Sequence, residues 1–152
     1  MAKFVYRMQN ILDIKGKLET QAKNEYAQAN AMLLEEQEQL SQLFFKKKSC
    51  QDSLRNEYNK KPLDLFEIDF WKSNITYTDG RIKEQTVCVM NAQKNVDLKR
   101  EQMLQLRKER KTQELLKESA FQQFLQDIKT EESKEVDELV SFTYGKKQNE
   151  SR

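Results

Sequence analysis

The 152-residue sequence has no histidine, one proline, three glycines and two cysteines. Compact α/β domains and β-sandwiches need many tight turns, and glycine and proline supply most of those turns. The few glycines and the single proline therefore exclude both classes of fold. The lack of histidine removes the side chain that most often transfers protons near neutral pH. Cys50 and Cys88 are too isolated to form a disulfide scaffold or a zinc site, and Cys50 is expected in the core.

Long apolar runs are also missing, so the sequence predicts no transmembrane segment. Charged residues such as Lys3 and Arg7 interrupt the N-terminal stretch, which argues against a signal peptide and favours a cytosolic protein. The charge is nearly balanced, with 27 basic and 25 acidic residues, and does not by itself indicate nucleic acid binding. The whole sequence contains 37% apolar and 34% charged residues, and its mean hydropathy is −0.94. This composition is typical of long helices or a coiled coil.

Pro62 is the only proline, and it marks the best break in the chain because proline disrupts a helix interior. On both sides of it, apolar residues recur every three, four or seven positions, as along one stripe of a helix. We predict one all-α domain over residues 1–152: a long antiparallel two-helix coiled coil with an unequal, overhanging C-terminal helix. The first helix is expected over about 3–58, the turn over 59–64, the second helix over 65–142 and a disordered tail over 145–152. Asp79-Gly80 is an alternative turn.

A hairpin centred at Pro62 makes the numbers of facing residues sum to about 125. Leu33 then faces Ala92, and Ala29 faces Val96. The charges agree: residues 17–39 carry two lysines against five glutamates, a net charge of −3. Residues 86–108 carry five basic against two acidic residues, a net charge of +3. Opposite charges beside a seam favour this register over others.

This register leaves residues from about 121 to 140 without a facing helix. Three readings of that stretch stay open: the N-terminal residues cover it, a second copy covers it, or it binds another molecule. The basic clusters Lys46–Lys48 and Arg107–Lys111 lack the interleaved aromatic residues of single-strand nucleic acid binders. No nucleotide-binding loop occurs either. We therefore predict no catalytic residues, no cofactor site, no metal site and no nucleic acid partner.

Four stretches of the sequence resemble one known family. The start Phe4-Val-Tyr-Arg-Met-Gln-Asn-Ile-Leu-Asp-Ile-Lys15 is similar to the opening of the flagellar export protein FliJ family. Glu19, Ala22, Ala29 and Leu33 continue that family's pattern of glutamates, alanines and leucines. Residues 75–82 resemble the start of its second helix, and residues 134–139 resemble its terminal Asp-Glu element. The resemblance covers most of the chain.

The resemblance implies a non-catalytic coiled-coil stalk in the flagellar type III export apparatus. Such a stalk sits in the hexameric export ATPase FliI, promotes ring assembly and hydrolysis, and contacts the cytosolic domain of the export gate protein FlhA. It also helps to escort export chaperones. The implied location is the cytoplasm, peripheral at the inner face of the cell membrane, without insertion into the bilayer.

Two sets of candidate contact residues follow from the resemblance and from position in the hairpin. The export-gate set matches the family's contact surface and consists of Gln39, Leu43, Ile75, Ile82 and Gln85. The ATPase-ring set is assigned from the two chain ends and consists of Phe4, Arg7, Met8, Phe121, Phe124 and Ile128. Two alternative functions remain open at this point: a helical export chaperone that binds a secreted subunit, and a purely structural coiled coil.

Overall fold

The computed structural model describes residues 2–151, which form two α-helices and no strand. Helix α1 spans Gln9–Tyr58 and helix α2 spans Leu65–Glu150. The chain divides into two compact units. The turn unit is Thr20–Gln105, and the terminal unit comprises the described residues up to Glu19 together with those from Leu106 onward. The fold is all-α, as the sequence predicts.

Both helices differ from the predicted bounds at the ends of the chain. Helix α1 begins at Gln9 rather than near residue 3, because the aromatic and β-branched run Phe4-Val5-Tyr6 has a low helix propensity. Helix α2 continues to Glu150, so residues 145–150 are helical where the sequence predicts a disordered tail. Gly145 does not interrupt it, since no glycine has a positive φ. Lys147 in its last turn suits the negative end of the helix dipole.

The start of α2 is set by Asp64, which caps the helix. The carboxylate oxygen Oδ1 of Asp64 accepts hydrogen bonds from the backbone N–H of Phe66 at 3.0 Å and of Glu67 at 3.3 Å. These N–H groups would otherwise have no partner in the first helical turn. The turn that contains Pro62 therefore ends in a defined helix start.

Within the turn unit, the two helical segments run antiparallel. Lys47 pairs with Asp79, and further from the turn Glu25 pairs with Lys99, so residue numbers fall along α1 as they rise along α2. The core cluster of Ala29, Leu33 and Val96 lies between the helices, with three partly buried residues packed against it: Tyr26, Val89 and Ala92. Both predicted pairs, Leu33 with Ala92 and Ala29 with Val96, fall in this cluster, which confirms the register.

The seam of the turn unit also accepts small and polar side chains. Cys50 is buried, as the sequence predicts, whereas Cys88 is exposed. Thr78 is only 1% exposed, and its hydroxyl donates a hydrogen bond to the backbone carbonyl of Asn74 at 2.8 Å. Gly80 lies inside α2 without a positive φ, so the alternative turn at Asp79-Gly80 is not formed.

The terminal unit pairs the start of α1 with a later part of α2, again antiparallel. Glu19 contacts Arg107, and Lys15 contacts Glu109 with 2.8 Å between Nζ and Oε2. Phe4, which precedes α1, packs against Phe121. Of the three open readings for the C-terminal stretch, coverage by the N-terminal residues therefore holds at Phe121. From residue 129 to residue 150, every position of α2 is exposed.

Candidate functional site

In the turn unit, polar groups cross the seam beside the predicted export-gate residues. The Nε2 atom of Gln85 donates hydrogen bonds to the backbone carbonyl of Glu36, at 3.0 Å, and to the Glu36 carboxylate. Lys47 Nζ lies 2.7 Å from Asp79 Oδ1. Such polar layers lower the stability of a coiled coil but specify its register. They hold the two helices in one alignment at this point of the unit.

A groove of about 400 Å³ opens at the same level of the helix pair. It is lined by four residues of α1 and two residues of α2: Gln39, Gln42, Leu43, Lys46, Arg81 and Gln85. Three of these six, Gln39, Leu43 and Gln85, belong to the predicted export-gate set. The structure therefore brings three members of that set to one groove, two from α1 and one from α2.

The other two members of the export-gate set lie elsewhere on the seam. Ile75 and Ile82 are half-buried and lie three residues before and four residues after the buried Thr78. They do not line the groove, in which Leu43 is the one apolar residue. Both remain partly accessible beside it.

In the terminal unit, three aromatic rings of the predicted ATPase-ring set pack together. The ring centroid of Phe4 lies 5.2 Å from that of Phe121, in an edge-to-face arrangement, and 5.4 Å from that of Phe124. Tyr6 secures the same N-terminal segment, because its hydroxyl donates a hydrogen bond to Gln113 Oε1 at 3.0 Å. Such aromatic pairs add roughly 0.5–1.5 kcal/mol to simple burial. The predicted residues Phe4, Phe121 and Phe124 therefore form one cluster.

The remaining members of the ATPase-ring set are more accessible than this aromatic cluster. Arg7 and Met8 are exposed, and Ile128 is half-buried. Beyond Ile128, α2 presents exposed apolar side chains that the predicted set does not include: Val136, Leu139, Val140, Phe142 and Tyr144. Val136, Leu139 and Val140 belong to the stretch 121–140 for which the sequence leaves three readings open, whereas Phe142 and Tyr144 lie beyond that stretch.

A charged cluster that the sequence analysis missed holds the terminal unit together. The carboxylate of Glu19 is buried, with its side chain 4% exposed, and contacts both Arg107 and Arg110. Arg110 also contacts Glu114, one helical turn further along α2. The hydrogen bond to Glu19, and to a smaller extent the one to Glu114, raises the pKa of the Arg110 guanidinium above its ordinary value. The opposite net charges of residues 17–39 and 86–108 could be seen in the sequence. The contact of one carboxylate with two arginines could not.

A second charge pair lies next to the turn. Lys60 Nζ is 2.8 Å from Glu57 Oε1, and this hydrogen bond raises the pKa of the Lys60 ammonium group above its ordinary value. Nearby, the Lys72 ammonium group lies over the Tyr58 ring, with 6.0 Å between Nζ and the ring centroid. The first contact is local to the end of α1 and the turn, whereas the second joins α1 to α2. The aromatic residue Phe66 is exposed at the turn.

In each unit, two helical segments pack antiparallel along a seam of mixed apolar and polar side chains, which defines the class as a two-helix coiled-coil protein. Within residues 2–151, neither helix contains a stretch long and apolar enough to cross a membrane. Comparison with known families gives a match to the family described as flagellar FliJ protein over residues 4–149. The chain belongs to the FliJ family, and thereby to the components of the flagellar export apparatus. No curated protein and no solved structure matches it.

Proposed function

We propose that this protein is the non-catalytic stalk of the flagellar export apparatus. It binds the hexameric export ATPase FliI, promotes assembly and activity of the ring, and links the ring to the cytosolic domain of the gate protein FlhA. It also takes part in the escort of export chaperones. It acts in the cytoplasm, peripheral at the inner face of the cell membrane. Membership of the FliJ family supports this role.

The observation that favours a stalk most is the last part of α2. Every position from 129 to 150 is exposed, and the apolar side chains of Val136, Leu139 and Val140 lie on it. An exposed helix with spaced apolar residues is a typical surface for another protein. A central cavity of an ATPase ring would cover such a helix from several sides.

The proposed ring contact begins at the aromatic cluster and continues along this exposed helix. Phe4, Phe121 and Phe124 keep the N-terminal segment against α2. Arg7 and Met8 are exposed on this segment, and Ile128 directly precedes the exposed part of α2. The remaining contact would come from the apolar side chains after Ile128. The proposed gate contact uses the groove of the turn unit together with the neighbouring seam residues: Gln39, Leu43, Ile75, Ile82 and Gln85.

ATP hydrolysis by the cognate export ATPase, measured with and without this protein, tests the ring contact. The full chain is expected to raise the rate, and a variant that ends at residue 129 is expected to lose the effect while it keeps the aromatic cluster. The triple variant Val136→Ser, Leu139→Ser, Val140→Ser should behave like the truncation. The matched control Leu115→Ser changes an apolar residue of the terminal unit that is 71% exposed and should still stimulate.

Absence of stimulation by the full chain at saturating concentration would refute the stalk. An export chaperone is the second candidate, because the same exposed apolar helix could hold a secreted subunit. Equimolar binding of one secreted subunit, lost in the truncated variant and accompanied by no effect on the ATPase, would favour that function. Copurification with the ATPase and the gate domain, without a secreted subunit, would favour the stalk.

A further inference from the structure

Two cations line the groove of the turn unit, and neither forms an ion pair there. Lys46 and Arg81 are the charged residues among its lining, and both are exposed. Among the ion pairs of residues 2–151, neither contacts a carboxylate. Of the carboxylates nearby, Asp79 pairs with Lys47, whereas Glu36 keeps its negative charge because its partner Gln85 is a neutral amide. The lining of the groove itself carries two cations and no carboxylate.

The heptad positions place the two cations on the same side of the seam. Lys46 comes directly before the seam position of Lys47, and Arg81 comes directly before the seam position of Ile82. In an antiparallel pair, residues at these flanking positions lie on the same side of the seam, where opposite charges usually meet. Two like charges in this place repel each other, and an anion between them would remove that repulsion.

The neighbouring groups match an extended acidic segment rather than a lone anion. Arg81 is held at the rim of the groove, because its Nη1 atom lies 3.4 Å from the Tyr77 hydroxyl. The amides of Gln39 and Gln42 add further hydrogen-bond donors, and Leu43 adds an apolar surface to the same groove. Carboxylates bind guanidinium and ammonium groups well, while an apolar side chain of the same segment can contact Leu43.

We propose that this groove binds a segment of the partner protein that carries carboxylates beside an apolar residue, and that Lys46 and Arg81 determine the specificity for it. This inference rests on the proposed function, in which the same groove contacts the export gate. It adds the chemistry of the gate segment and two residues that lie outside the predicted contact set.

The test compares two double variants that remove the same charge from the same helices. Lys46→Gln with Arg81→Gln neutralises the groove, and Lys48→Gln with Lys83→Gln neutralises exposed lysines that do not line it. Binding of the FlhA cytosolic domain is measured by calorimetry at about 50 mM and about 500 mM NaCl. The groove variant is expected to bind about tenfold more weakly at low salt, with a much smaller difference at high salt. The control variant should bind like the unmodified protein.

A second measurement keeps this inference separate from the proposed function. A short peptide of alternating glutamate and leucine is titrated into the isotope-labelled full chain, and NMR shifts are followed at the side-chain N–H groups of Gln39 and Gln42, which every variant keeps. Shifts in the unmodified protein that vanish in the groove variant are expected; a peptide of alternating lysine and leucine should cause none. If the acidic peptide binds but the gate domain does not, the proposed gate contact is refuted and the proposed specificity of the groove is supported. If the gate domain binds both double variants equally, the inference is wrong while the gate contact stands.

Discussion

The turn unit and the terminal unit use the same helical repeat but fill their seams with different side chains. All of the buried apolar residues of the described chain lie in the turn unit: Ala22, Ala29, Leu33, Cys50, Ile68 and Val96. In the described part of the terminal unit, the one buried residue is the charged Glu19. One unit is thus stabilised mainly by apolar burial and the other by charge pairs and aromatic contacts.

This difference predicts unequal local stability. Complete burial of a leucine or valine side chain contributes about 1.5–3 kcal/mol, whereas an exposed ion pair contributes roughly 0–1 kcal/mol. The terminal unit should therefore open at a lower free energy than the turn unit. The less stable unit is also the one proposed to contact the ATPase ring, where an adaptable surface is useful.

The largest effect is expected from Leu33→Ala, which removes a leucine from the core cluster of the turn unit. We expect a loss of about 2–4 kcal/mol in the free energy of unfolding, since the lost burial and the remaining cavity both destabilise the folded state. Urea denaturation followed by circular dichroism measures it. The control Leu34→Ala changes a leucine that is 66% exposed and should alter stability by less than about 0.5 kcal/mol. Equal losses in both variants would contradict the assignment of the core.

The next effect concerns the charge cluster of the terminal unit. Glu19→Gln removes the charge that binds Arg107 and Arg110, and we expect a loss of about 1–2 kcal/mol. Hydrogen exchange should accelerate in residues 106–113 and stay unchanged around Val96 in the turn unit. The matched variant Glu25→Gln breaks the more exposed pair with Lys99 and should cost less than about 1 kcal/mol. Unchanged exchange in residues 106–113 would show that the terminal unit does not depend on Glu19.

A smaller effect is expected at the helix start that borders the turn. Asp64→Ala removes the side chain that accepts hydrogen bonds from Phe66 and Glu67, at a cost of about 1 kcal/mol. The variant Asp64→Asn, whose amide oxygen can also cap a helix, should keep most of the stability. Thermal unfolding of the two variants side by side distinguishes the loss of the cap from a loss of charge. A destabilisation by Asn as large as that by Ala would contradict the capping role.

The core of the turn unit was predictable because two simple signals agree. The apolar spacing gives the phase of each helix, and Pro62 sets the point about which the helices reverse. Together they place Leu33 and Val96 in the seam, and the cluster in the structure confirms it.

The terminal unit was less predictable because its contacts depend on how individual long side chains reach across the seam. Opposite charge on the two segments is readable in the sequence, but the contact of Glu19 with two arginines is a matter of geometry. The coverage of Phe121 by Phe4 depends on a short segment outside α1. Likewise, the basic groove at Lys46 and Arg81 becomes visible only when the flanking positions of both helices are placed together.

The smallest expected effect is a gain rather than a loss of stability, and it concerns the groove of the turn unit. Lys46→Gln removes one of the two cations that share the groove with no carboxylate partner, and we expect a gain of about 0.3 kcal/mol in the stability of the free protein. Thermal unfolding at low salt should show this gain, and high salt should abolish it because screening weakens the repulsion. The control Lys48→Gln lies outside the groove and should leave stability unchanged. A loss of stability in Lys46→Gln would mean that Lys46 already has an attractive role in the free protein, and that the groove does not hold unpaired positive charge for a partner.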